Sequence, residues 1–388
     1  MPTNERANKL KEKKRQKDRK TKIIIWSVLG LIILALVIMK ICEIDFADVK
    51  NKISANTSVS TGAESTYPLS LDFSGDADVK VVNDKLAVLT DSSLTVLNPS
   101  NAQKILSVDH GYTNPVMLSA DNYICTFDRG STRFRLDTTS KAVYEKTTDR
   151  NIICAAVASN GTVAYADFSD DANCELVVLT KNEKNKMTLP VKDGYITQLA
   201  INSSGTKCIY VTVNSADAEL VSTVHTINVG DDKDIATVSY NSSNILNVTY
   251  SDGNNAYILG DDFLSIISSQ KKFKSVFEKG SISTVNYCFT SGNELVLNYK
   301  DYSNSTESDI AYIKSSGSVK SKTTLSQEVK YLSSFGNKIT VLYSNGIDLY
   351  SLSKCEKKLS FKCDSSVNSV HTLGSKSYIQ YGQYIDVL

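Results

Sequence analysis

One phrase recurs eight times along the chain: a short apolar run, a turn of Asn, Asp, Ser or Gly, and a second apolar run. The copies are VVNDKLAVLT, LSADNYICTF, VASNGTVAYA, INSSGTKCIYV, TYSDGNNAYIL, FTSGNELVLNY, SSFGNKITVLY and TLGSKSYIQY. Such a turn between β-rich runs is a hairpin signal, and the mean spacing of roughly 40 residues is the period of a four-stranded propeller blade. In SSFGNKITVLYSNGIDLYSL, Ser333 to Leu352, the run Ile339 to Tyr343 is apolar on both faces of the pleat, as in a strand covered from both sides. Asn345-Gly346 in the same stretch reads as a type I′ turn, because both residues tolerate a positive φ. A single four-stranded sheet leaves two apolar faces open, and radial stacking covers both.

Each unit therefore reads as strands A, B, C and D joined by turns. The last unit has only three strands, VNSVHTL, KSYIQYG and QYIDVL, before Leu388, while YPLSLDF, Tyr67 to Phe73, stands alone ahead of the first unit. That segment can supply the missing outer strand, where Pro68 is tolerated because an edge strand turns one N–H row to solvent. The expectation is an all-β propeller of eight four-stranded blades, closed by a composite of the two chain ends, with seven blades as the alternative.

The formal charge of +1 hides two unlike parts. Residues 1–22 carry ten Lys/Arg against three Asp/Glu, a net +7, so the rest of the chain carries −6. Ile23 to Met39, IIIWSVLGLIILALVIM, is apolar except at Ser27 and Gly30. As a helix it is about 26 Å long, near the lower limit for a bilayer span. KICEIDFADVKN offers no small-x-small cleavage site directly after it, so an uncleaved anchor fits better than a signal peptide. The layout predicted is a basic cytoplasmic tail (1–22), a transmembrane helix (23–40), a Ser/Thr-rich juxtamembrane linker (41–66) and an extracytoplasmic propeller (67–388). Positive charge stays on the cytoplasmic side, which makes this a single-pass protein of the cell membrane with its N-terminus inside. Membrane lipid is a predicted partner through the span and the basic tail; nucleic acid is not, since no aromatic residues interleave the basic run.

Eight cysteines include no C-x-x-C pair, and most of them sit in strand-like runs as small buried hydrophobes. The three histidines, His110, His225 and His371, are far apart in sequence, and no H-E-x-x-H, nucleophile elbow, phosphate loop or dinucleotide fingerprint occurs. Asp167, Asp170 and Asp171, then Asp231, Asp232 and Asp234, then Asp261 and Asp262 read as solvated turns, because neither their spacing nor their glycines match a calcium loop. No cofactor, metal or catalytic constellation is predicted.

INSSGTKCIYV and TYSDGNNAYIL resemble the Ser-Pro-Asp-Gly-Lys turn of many bacterial β-propellers. With its basic tail, single span, Ser/Thr linker and degenerate repeats, the whole chain resembles an uncharacterised, domain-of-unknown-function family of single-pass membrane-anchored bacterial β-propeller proteins. The resemblance implies an extracytoplasmic location and no particular activity. It departs from better-known propellers in that the only tryptophan, Trp26, lies in the span, so tryptophan-aspartate repeats, quinone-type repeats and the sialidase Asp box are absent.

The function expected is binding or scaffolding of a protein or cell-envelope polymer. An envelope-glycan hydrolase or lyase and a ligand-sensing ectodomain are the alternatives. By resemblance to other propellers, the D-to-A and B-to-C connections form the usual ligand side. In this sequence they supply the candidate contact residues His110, Tyr112, Arg129, Arg150, Tyr195, Lys300 and Tyr302, a mixture of aromatic and charged groups suited to protein contact.

Overall fold

A computed structural model of the protein describes residues 67–388 apart from 72–76, 217, 253, 270, 271 and 303. The tail, the span and the linker all lie outside the described residues. Among those residues no helix is long and apolar enough to cross a membrane.

The strands pair into eight antiparallel four-stranded sheets. Blades 1 to 7 are continuous in sequence, at 78–109, 115–147, 152–191, 195–241, 245–277, 282–325 and 331–362. Blade 8 is the composite: Val367–Leu373, Lys376–Tyr381 and Tyr384–Val387 are its strands A, B and C, and Leu69–Ser70 is its strand D. Leu69 pairs with Ile385 and Ser70 with Tyr384, and the Leu71 amide donates to the Gln383 carbonyl at 2.7 Å. The described outer strand is thus shorter than the expected Tyr67 to Phe73, whose last two residues lie outside the described set.

The core is distributed as a ring of seams. Among the described residues eight buried apolar clusters are present, each drawing on two adjacent blades. Val163, Tyr165 and Val177 of blade 3 face Phe127, Phe134 and Leu136 of blade 2, whereas Ala164, Ala166, Leu176 and Val178 face Ile196, Leu199 and Tyr210 of blade 4. This alternation explains why strands B and C are apolar on both faces. The seam between blades 8 and 1 joins Tyr378 and Ile385 to Val79, Leu86, Val88 and Leu97, and Leu71 completes it. It is this seam that closes the ring.

All eight recurrent phrases are A-to-B hairpins, built in two ways. In blades 1, 2, 7 and 8 the loop has two residues, and the first takes a positive φ: Asn83 (50°), Asp121 (50°), Gly336 (56°) and Gly374 (64°). In blades 3 to 6 the loops are longer, and the positive φ falls on Gly161, Gly205, Asn254 and Asn293 near their ends. The two-residue loops, with their positive φ at the first position, match the right-handed twist of the strands they join.

Asn345-Gly346 corrects the sequence reading. The B-to-C connection there is Tyr343-Ser344-Asn345, none with a positive φ, and Gly346 is already in strand C, paired with Lys362. A Cβ on Gly346 would lie 2.9 Å from the Phe361 carbonyl oxygen. Glycine is needed there for close approach of the neighbouring strand, not for the turn.

Candidate functional site

Antiparallel order puts the D-to-A and B-to-C connections on one face of the ring and the A-to-B and C-to-D turns on the other. On the first face the sequence-predicted residues fall into two groups. His110, Tyr112, Arg129, Arg150 and Tyr195 form an arc over blades 1 to 4, while Lys300 and Tyr302 lie apart on blade 6.

The arc is held by bonds that cross from blade to blade. His110 and Tyr112 are in the connection from blade 1 to blade 2, but both are buried, at 5% and 4% exposure. The Tyr112 amide donates to His110 Nδ1 at 3.0 Å, His110 Nε2 lies 3.2 Å from the Thr90 carbonyl, and the two rings stack with centroids 4.8 Å apart. Burial foremost pushes the His110 pKa down. Arg133 closes over the pair, its guanidinium carbon 4.9 Å from the centre of the Tyr112 ring and one of its nitrogens donating to the carbonyls of His110 and Gly111. Asp128 anchors the rest of the connection, accepting from the amides of Thr113 (3.1 Å) and Asn114 (2.8 Å). Burial alone would raise the Asp128 pKa, but these donors outweigh it and hold the carboxyl below its usual value.

The remaining members of the arc are more open. Arg129 is exposed, and its backbone amide donates to the Asn114 carbonyl at 3.0 Å. The Ile152 amide donates to Ser131, the Gly130 amide to Ile152 and the Phe168 amide to Asn151, which ties the tops of blades 2 and 3 together. Arg150 is ion-paired to Asp170. Tyr195, expected in a connection, is instead the first residue of strand A in blade 4 (Tyr195–Ile201). It is 49% exposed, and its ring meets that of Phe168, 46% exposed, with centroids 6.2 Å apart. Lys300, also expected in a connection, lies within strand Leu295–Asp301 opposite Ser283; Tyr302 is in the turn that follows and is 63% exposed.

Phe168, Arg133 and Asp167 are functional candidates that sequence reasoning passed over. Asp167, read as part of a solvated turn, is in strand B of blade 3 (Val163–Phe168) and only 7% exposed. The sequence signal is the strand register, since Asp167 continues the buried row of Val163 and Tyr165.

A concavity of about 480 Å³ lies between blades 6 and 7, lined in part by Lys322, Tyr343, Asp348, Tyr350, Cys355 and Lys357. Its charges are paired internally, Lys322 with Asp309 at 2.7 Å and Lys357 with Asp348 at 3.2 Å. Burial raises the pKa of the Cys355 thiol, which lies 3.2 Å from the Ser321 hydroxyl. That environment disfavours the thiolate a nucleophile requires. All seven described cysteines are free.

Comparison with solved structures finds the C-terminal WD40 domain of Sif2, at 11% identity and a TM-score of 0.57, covering 84% of this chain and 99% of that one. Saccharomyces cerevisiae Sqt1 is similar at 8% identity and a TM-score of 0.55, with coverages of 84% and 99%. A eukaryotic initiation factor matches at 10% identity and a TM-score of 0.51, with coverages of 82% and 84%. At such identities the likeness is one of fold. No curated protein matches the sequence. The family of unknown function DUF5711 matches residues 60–384, and the chain belongs to that family.

Proposed function

We propose that this protein is a membrane-tethered, extracytoplasmic binding scaffold, whose D-to-A and B-to-C face receives a protein partner. The observation that carries the reading is the exposure of Phe168, Tyr195 and Tyr302 on this face, where the aromatic rings His110 and Tyr112 have been drawn inside. Aromatic side chains left open among tightly bonded loops supply large contact area at small entropic cost. The tether is supported by the apolar run Ile23 to Met39 behind a +7 tail. Strand D of blade 8 starts at the face of the A-to-B and C-to-D turns and runs toward Gln383. The candidate face is therefore at the end of the propeller away from the point where the chain enters.

Crosslinking in intact membranes followed by pull-down tests the reading. Tyr195→Ala with Tyr302→Ala should reduce partner recovery while leaving the melting midpoint nearly unchanged, since exposed side chains contribute little to the core. Unchanged recovery, with loss on altering the opposite face, would refute it. The tether has its own test: external protease on intact cells should remove the propeller and spare an epitope before Met1. Protection of the propeller, or its release into the medium without protease, would reject the anchor.

A further inference from the structure

Blade 3 presents a different chemistry on each side of its top edge. On the side facing blade 4, Phe168 continues the row of Ala164 and Ala166 and meets Tyr195. On the side facing blade 2, Asp167 continues the row of Val163 and Tyr165 and pairs across strands with Glu175. Asp149 and Arg150 of the connection from blade 2 act on Asp167 electrostatically. Asp149, Asp167, Asp170 and Glu175 against Arg150 give a formal −3, and Arg150 is committed to Asp170. Glu175 accepts from the Ser169 hydroxyl at 2.9 Å. Asp167 as a residue is 7% exposed, and its buried Oδ1 has no hydrogen-bond donor among the described residues.

A buried, unpaired carboxylate oxygen is costly, and a protein that retains one beside further acids is suited to receiving a cation. Its form is constrained. No group of three acidic, histidine or cysteine side chains among the described residues is arranged to hold a metal ion. Spread carboxylates suit a planar, many-donor guanidinium better than a compact divalent ion. The exposed rings lie on the other side of the same sheet, because Asp167 and Phe168 are consecutive residues of one strand and their side chains alternate between its faces.

We propose that the top of blade 3 binds an extended segment of a partner protein, seating an arginine against Asp167 and Glu175 and an apolar side chain two or three residues away against Phe168 and Tyr195. This rests on the reading that the D-to-A and B-to-C face is the contact face, and it names the chemistry recognised there.

The test pans a random peptide library displayed on phage against the purified full-length chain. Enriched peptides should pair an arginine with a nearby aromatic or aliphatic residue. Asp167→Asn should weaken their binding at least about thirtyfold, the usual consequence of removing one member of a buried charge pair. Glu175→Gln should weaken it less, and both variants should melt no lower than the parent. Enrichment of peptides without basic residues, or equal binding by Asp167→Asn, would overturn the proposal. So would displacement of the peptides by calcium or magnesium accompanied by a rise in melting midpoint. If membrane crosslinking to the partner falls with Tyr195→Ala and Tyr302→Ala but survives Asp167→Asn, the face is right and the arginine site is wrong; if it depends only on the opposite face, both fail.

Discussion

Asp167 and His371 place opposite demands on the pH dependence of stability. The Asp167 carboxyl is pushed up to about 6, by burial first and by Glu175 next. The unfolded chain releases this proton near pH 4, so ionised Asp167 destabilises the fold increasingly from about pH 4 to 6 and fully above. Asp167→Asn should stabilise the protein by about 1–2 kcal/mol near pH 7, with no gain near pH 4. Thermal melts across that range check it. His371 is buried with Nε2 3.1 Å from the Ser369 hydroxyl and its ring edge-on to Tyr331. Burial, then Lys80, pushes its imidazole down to about 4. The unfolded chain takes up its proton near pH 6.5 while the folded chain does not, so this histidine costs stability as pH falls from about 6.5 to 4. His371→Gln should flatten that acid-side loss, measurable as a shallower slope of unfolding free energy against pH. Neither role was legible in the sequence. Asp167 sits two residues before Ser169-Asp170-Asp171, and only the register of blade 3 separates a buried carboxylate from solvated neighbours.

Strands and turns were more legible than side-chain placement. The eight A-to-B hairpins were visible because Gly, Asn and Asp mark positive φ wherever the twist demands it. Asn345-Gly346 misled because the same dipeptide also serves where two backbones converge. Gly346→Ala would put a methyl 2.9 Å from the Phe361 carbonyl and should cost about 1–3 kcal/mol, as overpacking does. Gly336 has φ 56° and nothing near its missing Cβ. Gly336→Asn should therefore cost well under about 1 kcal/mol, since Asn accepts the left-handed region. Denaturant titration of the two variants makes the contrast. Tyr195 and Lys300 look like connection residues in the sequence because strand ends at a blade's rim carry polar and aromatic residues like those of the loops.

At the scale of the molecule, the repeat period and the unpaired segment near Tyr67 were enough to indicate a composite blade. What the period left open was seven blades or eight, since the copies are degenerate and unevenly spaced. The eight seams of the core decide for eight. Deleting residues 383–388 removes strand Tyr384–Val387 and with it the partner of Leu69–Ser70. The seam around Ile385 and Tyr378 would open, and the truncated chain should aggregate or lose its cooperative melt in calorimetry. A closed ring also gathers Tyr195 of blade 4 and Tyr302 of blade 6 onto one face, with Asp121 and Ser375 in turns on the other. A photocrosslinking residue placed at each of these four positions in turn, in the full-length protein in intact membranes, tests the contact face directly. Adducts with a partner protein should form from Tyr195 and Tyr302 and be absent from Asp121 and Ser375; adducts confined to Asp121 and Ser375 would contradict it.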